Sequence, residues 1–272
     1  MQHSVQLEGF GVRLRPARAQ DAAFIVWLRG LDHARGRIGD TTPDIAGQLA
    51  WMQGYFERGG DYYFIIETER GIPVGTQGVY DIRGNSAEVG RWVIRPGVQA
   101  AIPSYVLILD FAFKQLGLAE LRATTIVSNR AMISLNRKVG FENFRIEPHG
   151  RVINGEPVDI VHCVLRAETW FRTREVLVPM AQVAERLVRE WEQEQLRIHP
   201  EQRPAEIYGP EEKPRPPSAD RPGPARTAAW GVGTTALLLS GLILGLGLGP
   251  VRVRPRTVFC AGPPAASLAE CV

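Results

Sequence analysis

Hydrophobic and polar positions change period many times between residue 1 and about residue 198, and each period predicts a type of element. Short runs rich in β-branched and aromatic residues, such as Tyr62 to Thr68, predict strands. Apolar residues three and four positions apart, as in Pro43 to Arg58, predict helices. The predicted strands are 12–15, 62–68, 74–82, 87–94, 121–127, 141–146 and 159–165. The predicted helices are 21–29, 43–58, 102–116, 129–139 and one from residue 169 that breaks at Pro179. This order favours an α/β (α+β) fold with a mixed central sheet and helices on both faces.

The pattern changes after this region and predicts a non-globular C-terminal extension. Residues 171–198 read as a charged amphipathic helix. For its part from Met180 to Leu196, a solvated position is favoured over packing on the domain or on a second copy in a homodimer. Residues 199–227 are rich in Pro, Glu and Arg and predict an extended linker. The segment 228–250 is long and apolar enough to be a candidate membrane helix, although its glycines weaken it. The alternative is a tail that packs nowhere, and 251–272 form a basic tail.

The net charge and the cysteines exclude few classes of binding partner. A net charge of +3 gives no indication of nucleic-acid binding, and none is expected. The cysteines Cys163, Cys260 and Cys271 lack metal-ligand spacing and suit a reducing compartment. The N-terminus lacks the pattern of a secretory signal. We therefore expect no metal and a cytoplasmic location, with the candidate membrane helix as a tether to the cytoplasmic face.

The stretch from Glu88 to Phe141 carries a more specific signal. It reads EVGRWVIRPG, then an apolar helix and a strand, and it closes with Asn129 and a helix into Lys138-Val139-Gly140-Phe141. This arrangement resembles the acetyl-CoA core of the GNAT superfamily of N-acetyltransferases, over Val12 to about Trp170. The nearest resemblance is to bacterial aminosugar-nucleotide and ribosomal-protein-type acetyltransferases. It implies a GNAT domain at residues 1–170, with acetyl-CoA as co-substrate.

The resemblance also implies where acetyl-CoA binds. A helix N-terminus suits its diphosphate, and a free strand edge suits its pantetheine amides. The residues implied for pantetheine are Trp92, Val93 and Ile94, and those implied for the diphosphate are Arg95, Gly97, Gln99, Ala100, Ala101 and Ser104. Asn129 is expected either to cap its helix or to contact the cofactor.

Two departures from the family pattern bear on activity. Ile102 and Pro103 stand in a region that the family usually fills with glycine, which alters the pocket or weakens CoA binding. Asn136 stands where many members have a tyrosine that protonates the leaving thiolate; asparagine can only hydrogen-bond the sulfur. These departures motivate one alternative, a catalytically degenerate GNAT fold that acts as a binding module.

The reaction requires a neutral amine, so a group must remove a proton from the acceptor. Glu88 is the leading candidate base, because the resemblance places a carboxylate on this strand; its alternative role is a solvated strand residue. Tyr80 and Asp81 are weaker candidates. His33 lies where the resemblance places the acceptor, although a surface role is favoured for it.

The acceptor is expected to be a small-molecule amine. The N-terminal region is similar to enzymes that acetylate amino sugars on nucleotide carriers. On that reading Arg29, with Arg35 and Arg37, would hold a diphosphate. Trp51 and Tyr55 would stack on a sugar or base, or simply pack helices onto the sheet. Acetylation of a protein N-terminus or lysine remains the alternative.

Overall fold

The structure, a computed structural model, describes residues 3–38 and 44–209. The candidate membrane segment 228–250 lies outside the described residues. The strands are β1 (Leu7–Gly9), β2 (Val12–Pro16), β3 (Tyr62–Thr68), β4 (Pro73–Arg83), β5 (Ser86–Ile94), β6 (Glu120–Ile126), β7 (Glu142–Ile153) and β8 (Glu156–Arg166). The helices are α1 (Ala22–Gly30), α2 (Ile45–Glu57), α3 (Ala101–Asp110), α4 (Arg130–Val139) and α5 (Ala167–Ile198). None of the helices within 3–38 and 44–209 is long and apolar enough to span a bilayer.

The eight strands form one sheet in the order β1-β2-β3-β4-β5-β6-β8-β7. Only the β5–β6 pair is parallel among the paired strands described. The mixed α/β architecture and the predicted order of elements are confirmed, with the addition of the short strand β1. Three hydrophobic clusters pack on the sheet in the described residues. The first joins it to α3 and α5, the second joins it to α1 and α2, and the small third one consists of Ile126, Ile153 and Ile160.

The last helix differs from the expectation in two ways. It runs without a break from Ala167 to Ile198 with Pro179 inside it, so the predicted break is wrong. Proline removes one backbone donor and crowds the preceding turn. Here Pro179 lies on the exposed side, while the buried side chains Leu177 and Ala181 flank it and hold both halves on the domain. The predicted solvated position is therefore wrong as well, because one face of α5 belongs to the main core.

The first part of the predicted linker also packs on the domain. Residues 199–209 follow α5, and Ile207 is only 2% exposed. The ring of Tyr208 lies 5.1 Å from that of Phe24, edge to face, and 5.8 Å from that of Trp27. The prediction of an extended linker rested on the Pro-rich composition. It missed Ile207 and Tyr208 because isolated apolar residues show no periodicity. The remainder, from residue 210, lies outside the described residues.

Gly140 ends α4 in a conformation that side chains rarely adopt. Its φ is 101°, and a Cβ there would lie 2.6 Å from Cγ2 of Thr169. We expect Gly140→Ala to lower the free energy of unfolding by about 1–2 kcal/mol or more, since left-handed backbone disfavours a Cβ. Urea denaturation measures this change.

The matched control is Gly54→Ala, in the interior of α2, where a Cβ would meet nothing within 4 Å. We expect it to be neutral or stabilising by about 0.5–1 kcal/mol, because alanine is the better helix former. Equal effects of the two substitutions on the free energy of unfolding would show that the left-handed backbone of Gly140 does not require glycine.

Candidate active site

The central feature of the sheet is the divergence of β5 from β6. The two strands pair only where Ser86–Glu88 meets Glu120–Arg122. Next to this point the β4–β5 register shifts between Thr76 and Gly78, and Arg91 adopts a φ of 53°. Such a bulge bends a strand away from its neighbour. The result is a cavity of about 180 Å³ between the strands.

Side chains from both faces of the sheet line this cavity. The side chains come from β4, β5, β6 and β7, from the helices α1, α3 and α4, and from the loop after α1. The lining residues are Arg29, Arg37, Ile38, Gln77, Tyr80, Glu88, Val89, Gly90, Arg91, Trp92, Tyr105, Ala123, Thr124, Thr125, Asn129, Met132, Asn136 and Arg151.

Glu88 is in the cavity wall and is held by a neighbouring phenol. The hydroxyl of Tyr80 donates to Oε1 of Glu88 over 3.1 Å. The two residues are direct partners across β4 and β5, which is why their side chains meet. Burial raises the pKa of Tyr80, and the negative charge of Glu88 raises it further. Tyr80 therefore stays a protonated donor that orients the carboxylate.

The cavity wall carries more positive than negative side chains. Four arginines line it, Arg29, Arg37, Arg91 and Arg151, against one carboxylate, Glu88, among the described lining residues. The guanidinium of Arg91 lies 4.0 Å from the ring centroid of Tyr80 and forms an ion pair with Asp61. Burial lowers the pKa of Arg29, although a guanidinium stays protonated in proteins. The electrostatics of the wall thus favour an anionic ligand.

Both polar atoms of the Asn136 side-chain amide form hydrogen bonds within the protein. It accepts a hydrogen bond from the Tyr105 hydroxyl over 2.9 Å and donates to Sγ of Cys163 over 3.6 Å. Asn136 is 2% exposed and Tyr105 3% exposed. Burial raises the pKa of Tyr105 and raises that of Cys163 to about 11. The sulfur that Asn136 contacts is therefore a thiol of the protein itself.

Three buried polar atoms on the cavity wall have no hydrogen-bond partner in the structure: Nε2 and Oε1 of Gln77 and Nε1 of Trp92. Gln77 is fully buried, and the indole of Trp92 stacks on Tyr105 with the ring centroids 4.6 Å apart. A buried polar group without a partner costs about 1–3 kcal/mol. Both side chains are thus suited to pair with a polar ligand in the cavity.

The turn between β5 and α3, expected to hold the diphosphate, is only partly free to do so. The Arg95 guanidinium lies between Trp27 and Trp191 and donates to the carbonyl of Ile207 over 2.8 Å. Ser104 is buried, and its backbone and hydroxyl donate to Ala100 and Ala101 of its own helix. The side chains of Arg95 and Ser104 are therefore engaged within the protein. The backbone N–H groups of the turn from Gly97 to Ala101 are therefore the groups that remain to bind a diphosphate.

Two predicted contact residues lie at the edges of the site. Asn129 caps α4, since its Oδ1 accepts from the backbone of Met132 over 3.3 Å, and it also lines the cavity. His33 is exposed and contacts the carbonyl oxygen of Ile94 over 2.9 Å. Its Nε2 must carry the proton, because a carbonyl only accepts.

The structure brings together part of the predicted acceptor site. Arg29 and Tyr80 line the cavity with Glu88. Trp51 and Tyr55 lie outside the lining and stack on each other in nearly parallel planes, 5.8 Å apart. Tyr55 is 1% exposed, and its hydroxyl accepts from the backbone of Tyr63. Burial favours the packing role for Tyr55, whereas the ring of Trp51 is exposed.

Sequence reasoning missed several cavity residues. Gln77, Tyr105, Thr124 and Arg151 come from four different elements and meet only because β5 and β6 diverge. One usable signal was present: Thr124 lies two positions after Arg122, the strand partner of Glu88, so both side chains point to the same face.

Comparison with known families decides the identity of the domain. Residues 12–142 match the family model described as "Acetyltransferase (GNAT) domain". Residues 12–142 form a GNAT acetyltransferase domain. The domain is that of an N-acetyltransferase, which confirms the resemblance noted in the sequence. The comparison with curated protein sequences finds no significant match.

Solved structures share the fold of this GNAT domain. A GCN5-related N-acetyltransferase from Brucella melitensis is 19% identical, with a TM-score of 0.58 over 66% of this chain and 86% of its own. FdhC, a nucleotide-linked sugar GNAT, is 24% identical, with a TM-score of 0.54 over 66% and 98%. A mutant of the spermidine N-acetyltransferase SpeG from Vibrio cholerae is 18% identical, with a TM-score of 0.52 over 60% and 97%.

Proposed function

We propose that this protein transfers the acetyl group of acetyl-CoA to the primary amine of a small anionic molecule, an amino sugar on a nucleotide carrier. The observation that carries the proposal is the cavity between β5 and β6, which has Glu88 in its wall and arginines around it. Use of acetyl-CoA favours a cytoplasmic location for the reaction.

The residues on the cavity wall fit acetyl-CoA. Beyond Glu88, the edge of β5 that faces β6 has no strand partner in the described sheet, so the backbone at Trp92 to Ile94 can pair with pantetheine amides. Gln77 and the indole of Trp92 offer partners to the same ligand. Gly97 has a φ of 86° and leaves room for a close approach at the start of α3. Acetyl-CoA supplies an activated acyl group as a thioester.

The residues of the chain would prepare the amine. Glu88 binds the acceptor's ammonium and promotes the loss of one proton from it, so that the neutral nitrogen can attack. Tyr80 holds the carboxylate in place through its hydrogen bond. Asn136 and Tyr105 fix each other and shape the wall near α4. The main contribution of the protein on this scheme is to position the two reactants.

The cationic wall favours the anionic acceptor over a polyamine. A polyamine would bring several positive charges among four guanidinium groups, and like charges repel. A nucleotide diphosphate would instead accept charge-assisted hydrogen bonds from Arg37 and Arg151. The likeness to FdhC, a nucleotide-linked sugar GNAT, is in keeping with this choice.

Arg151→Gln tests this choice of acceptor. We expect the KM for a nucleotide-linked amino sugar to rise about 10- to 100-fold, since a hydrogen bond to a charged group is worth about 1.5–3 kcal/mol. The KM for the free amino sugar should stay unchanged, because it lacks the phosphates. Thiol release from acetyl-CoA measures both, with spermidine and an N-terminal peptide as further acceptors.

Arg166→Gln is the matched control, because Arg166 pairs with Glu142 and does not line the cavity. It should leave both KM values unchanged. Faster acetylation of spermidine or of the peptide than of the nucleotide sugar would overturn the proposed acceptor. Calorimetry that detects no acetyl-CoA binding, together with no thiol release, would instead support the binding-module alternative.

A further inference from the structure

A hydroxyl, an imidazole and a carboxylate form a continuous chain beside the cavity. Oγ1 of Thr124 lies 3.3 Å from Nδ1 of His162, and Nε2 of His162 lies 2.7 Å from Oε2 of Glu147. Thr124 and His162 are direct partners across β6 and β8, and β7 brings Glu147 alongside. The sheet therefore holds all three groups on rigid strands.

The chain connects the cavity to solvent. Thr124 lines the cavity together with Glu88. The side chain of His162 is 34% exposed and that of Glu147 is 51% exposed. The inner end of the chain thus faces the proposed acceptor, and the outer end faces water.

The hydrogen-bond partners select one neutral tautomer of His162. Glu147 as a carboxylate only accepts, so Nε2 carries the proton and donates to it. Nδ1 is then the acceptor for the Thr124 hydroxyl. This arrangement leaves a basic nitrogen directed at a hydroxyl in the cavity wall.

We propose that Thr124, His162 and Glu147 form the path by which the acceptor's ammonium proton leaves the cavity. This inference rests on the proposed amine acetylation. The ammonium N–H bond breaks as its proton moves to Oγ1 of Thr124, and the electron pair remains on the amine. The Thr124 hydroxyl proton moves at the same time to Nδ1 of His162. The resulting imidazolium faces Glu147 and releases one proton to water.

The acidities of the groups explain why a carboxylate benefits from such a path. As free groups, an alkyl ammonium holds its proton more tightly than an imidazolium, and an imidazolium holds it more tightly than a glutamic acid. An imidazole is therefore a stronger base than a carboxylate. Glu88 binds the ammonium, and the imidazole gives its proton a more favourable destination.

The charged groups that face His162 come from both neighbouring strands. On β7 they are Glu147 and Arg145, the strand partner of His162. On β6, Arg122 lies on the same face and is paired with Asp81. Glu147 is the group in direct contact, so it is the one that stabilises the imidazolium.

A measurement on the hydrogen-bond chain does not depend on activity. ¹⁵N NMR of the full chain with labelled histidine, assigned with His162→Gln, should show the Nε2–H tautomer for neutral His162. Thr124→Val keeps the branched shape, removes the hydroxyl and should shift the Nδ1 resonance. Two results would overturn the path whether or not the protein acetylates anything. One is an Nδ1–H tautomer of His162, and the other is an Nδ1 resonance that does not shift in Thr124→Val.

Kinetics test the role of the chain in the reaction. We expect His162→Gln and Thr124→Val each to lower kcat/KM about 100-fold, within the usual range for proton-transfer groups. Thr124→Ser should restore the rate, because it restores the hydroxyl. His162→Gln should also change the shape of the pH profile of kcat/KM, which loss of packing alone would not do.

The matched control is His149→Gln, an exposed histidine on β7 outside the cavity lining. It should keep both the rate and the pH profile. Unchanged rates and profiles in the His162 and Thr124 variants of an active enzyme would overturn the path. An inactive wild-type protein would contradict the proposed function instead. The NMR result would then still show whether Thr124, His162 and Glu147 are hydrogen-bonded as described.

Discussion

Glu88→Gln is expected to lower kcat/KM for the amine acceptor by about 100-fold or more, the usual contribution of a positioned base. The substitution keeps the shape of the side chain and removes its charge. The glutamine amide can still accept from the Tyr80 hydroxyl, which donates to Glu88 over 3.1 Å, so folding should be preserved. Thiol release with saturating acetyl-CoA measures the effect, and acetyl-CoA affinity by calorimetry should stay the same.

Glu120→Gln is the control for this substitution, because Glu120 lies on the neighbouring strand β6 but does not line the cavity. It should leave kcat/KM within about twofold, as for a surface substitution. A Glu88→Gln enzyme that retains the wild-type rate would show that Glu88 takes no part in deprotonating the amine.

Trp170→Ala is expected to lower the free energy of unfolding by about 3–5 kcal/mol, the range for removing a large buried aromatic side chain. Trp170 is fully buried at the start of α5. Its Nε1 donates to Asp110 of α3 over 3.0 Å, and Arg174 binds the same carboxylate over 2.8 Å. The loss would show that α5 is part of the folded domain. Urea denaturation followed by circular dichroism measures it.

Val176→Ala on the same helix is the matched control, since its side chain is 68% exposed. We expect a change of less than about 0.5 kcal/mol. Similar losses in both variants would mean that α5 is stabilised as a helix in itself and not by its contact with the core.

The sequence predicted the sheet and its helices because their periods are local properties. Residues such as Tyr62 to Thr68 alternate or run apolar over a strand length, and neighbouring turns end them. Pro179 misled the prediction because a local rule for helix interiors was overridden by the packing of Leu177 and Ala181. Ile207 and Tyr208 were missed because two apolar residues have no period.

The candidate site was predictable only where one strand carries it. Glu88 and Trp92 lie on β5 at positions that the family resemblance indicates, and both line the cavity. Gln77 and Arg151 enter from a bulge and a hairpin, whose geometry depends on strand register rather than on local pattern. Asn136 was expected to meet the sulfur of CoA, and its partner in the structure is Cys163.

The divergence of β5 and β6 has a consequence for finding ligands. It gives the sheet two inner strand edges as well as its two outer ones. The backbone N–H and C=O groups along such edges are free to form hydrogen bonds with a ligand. A molecule that pairs with these inner edges binds the folded chain and not the unfolded one. At 100 times its Kd it would add about 2.7 kcal/mol to the free energy of unfolding. Melting temperature is therefore a direct screen for the co-substrate and acceptor of this GNAT domain, before any reaction is observed.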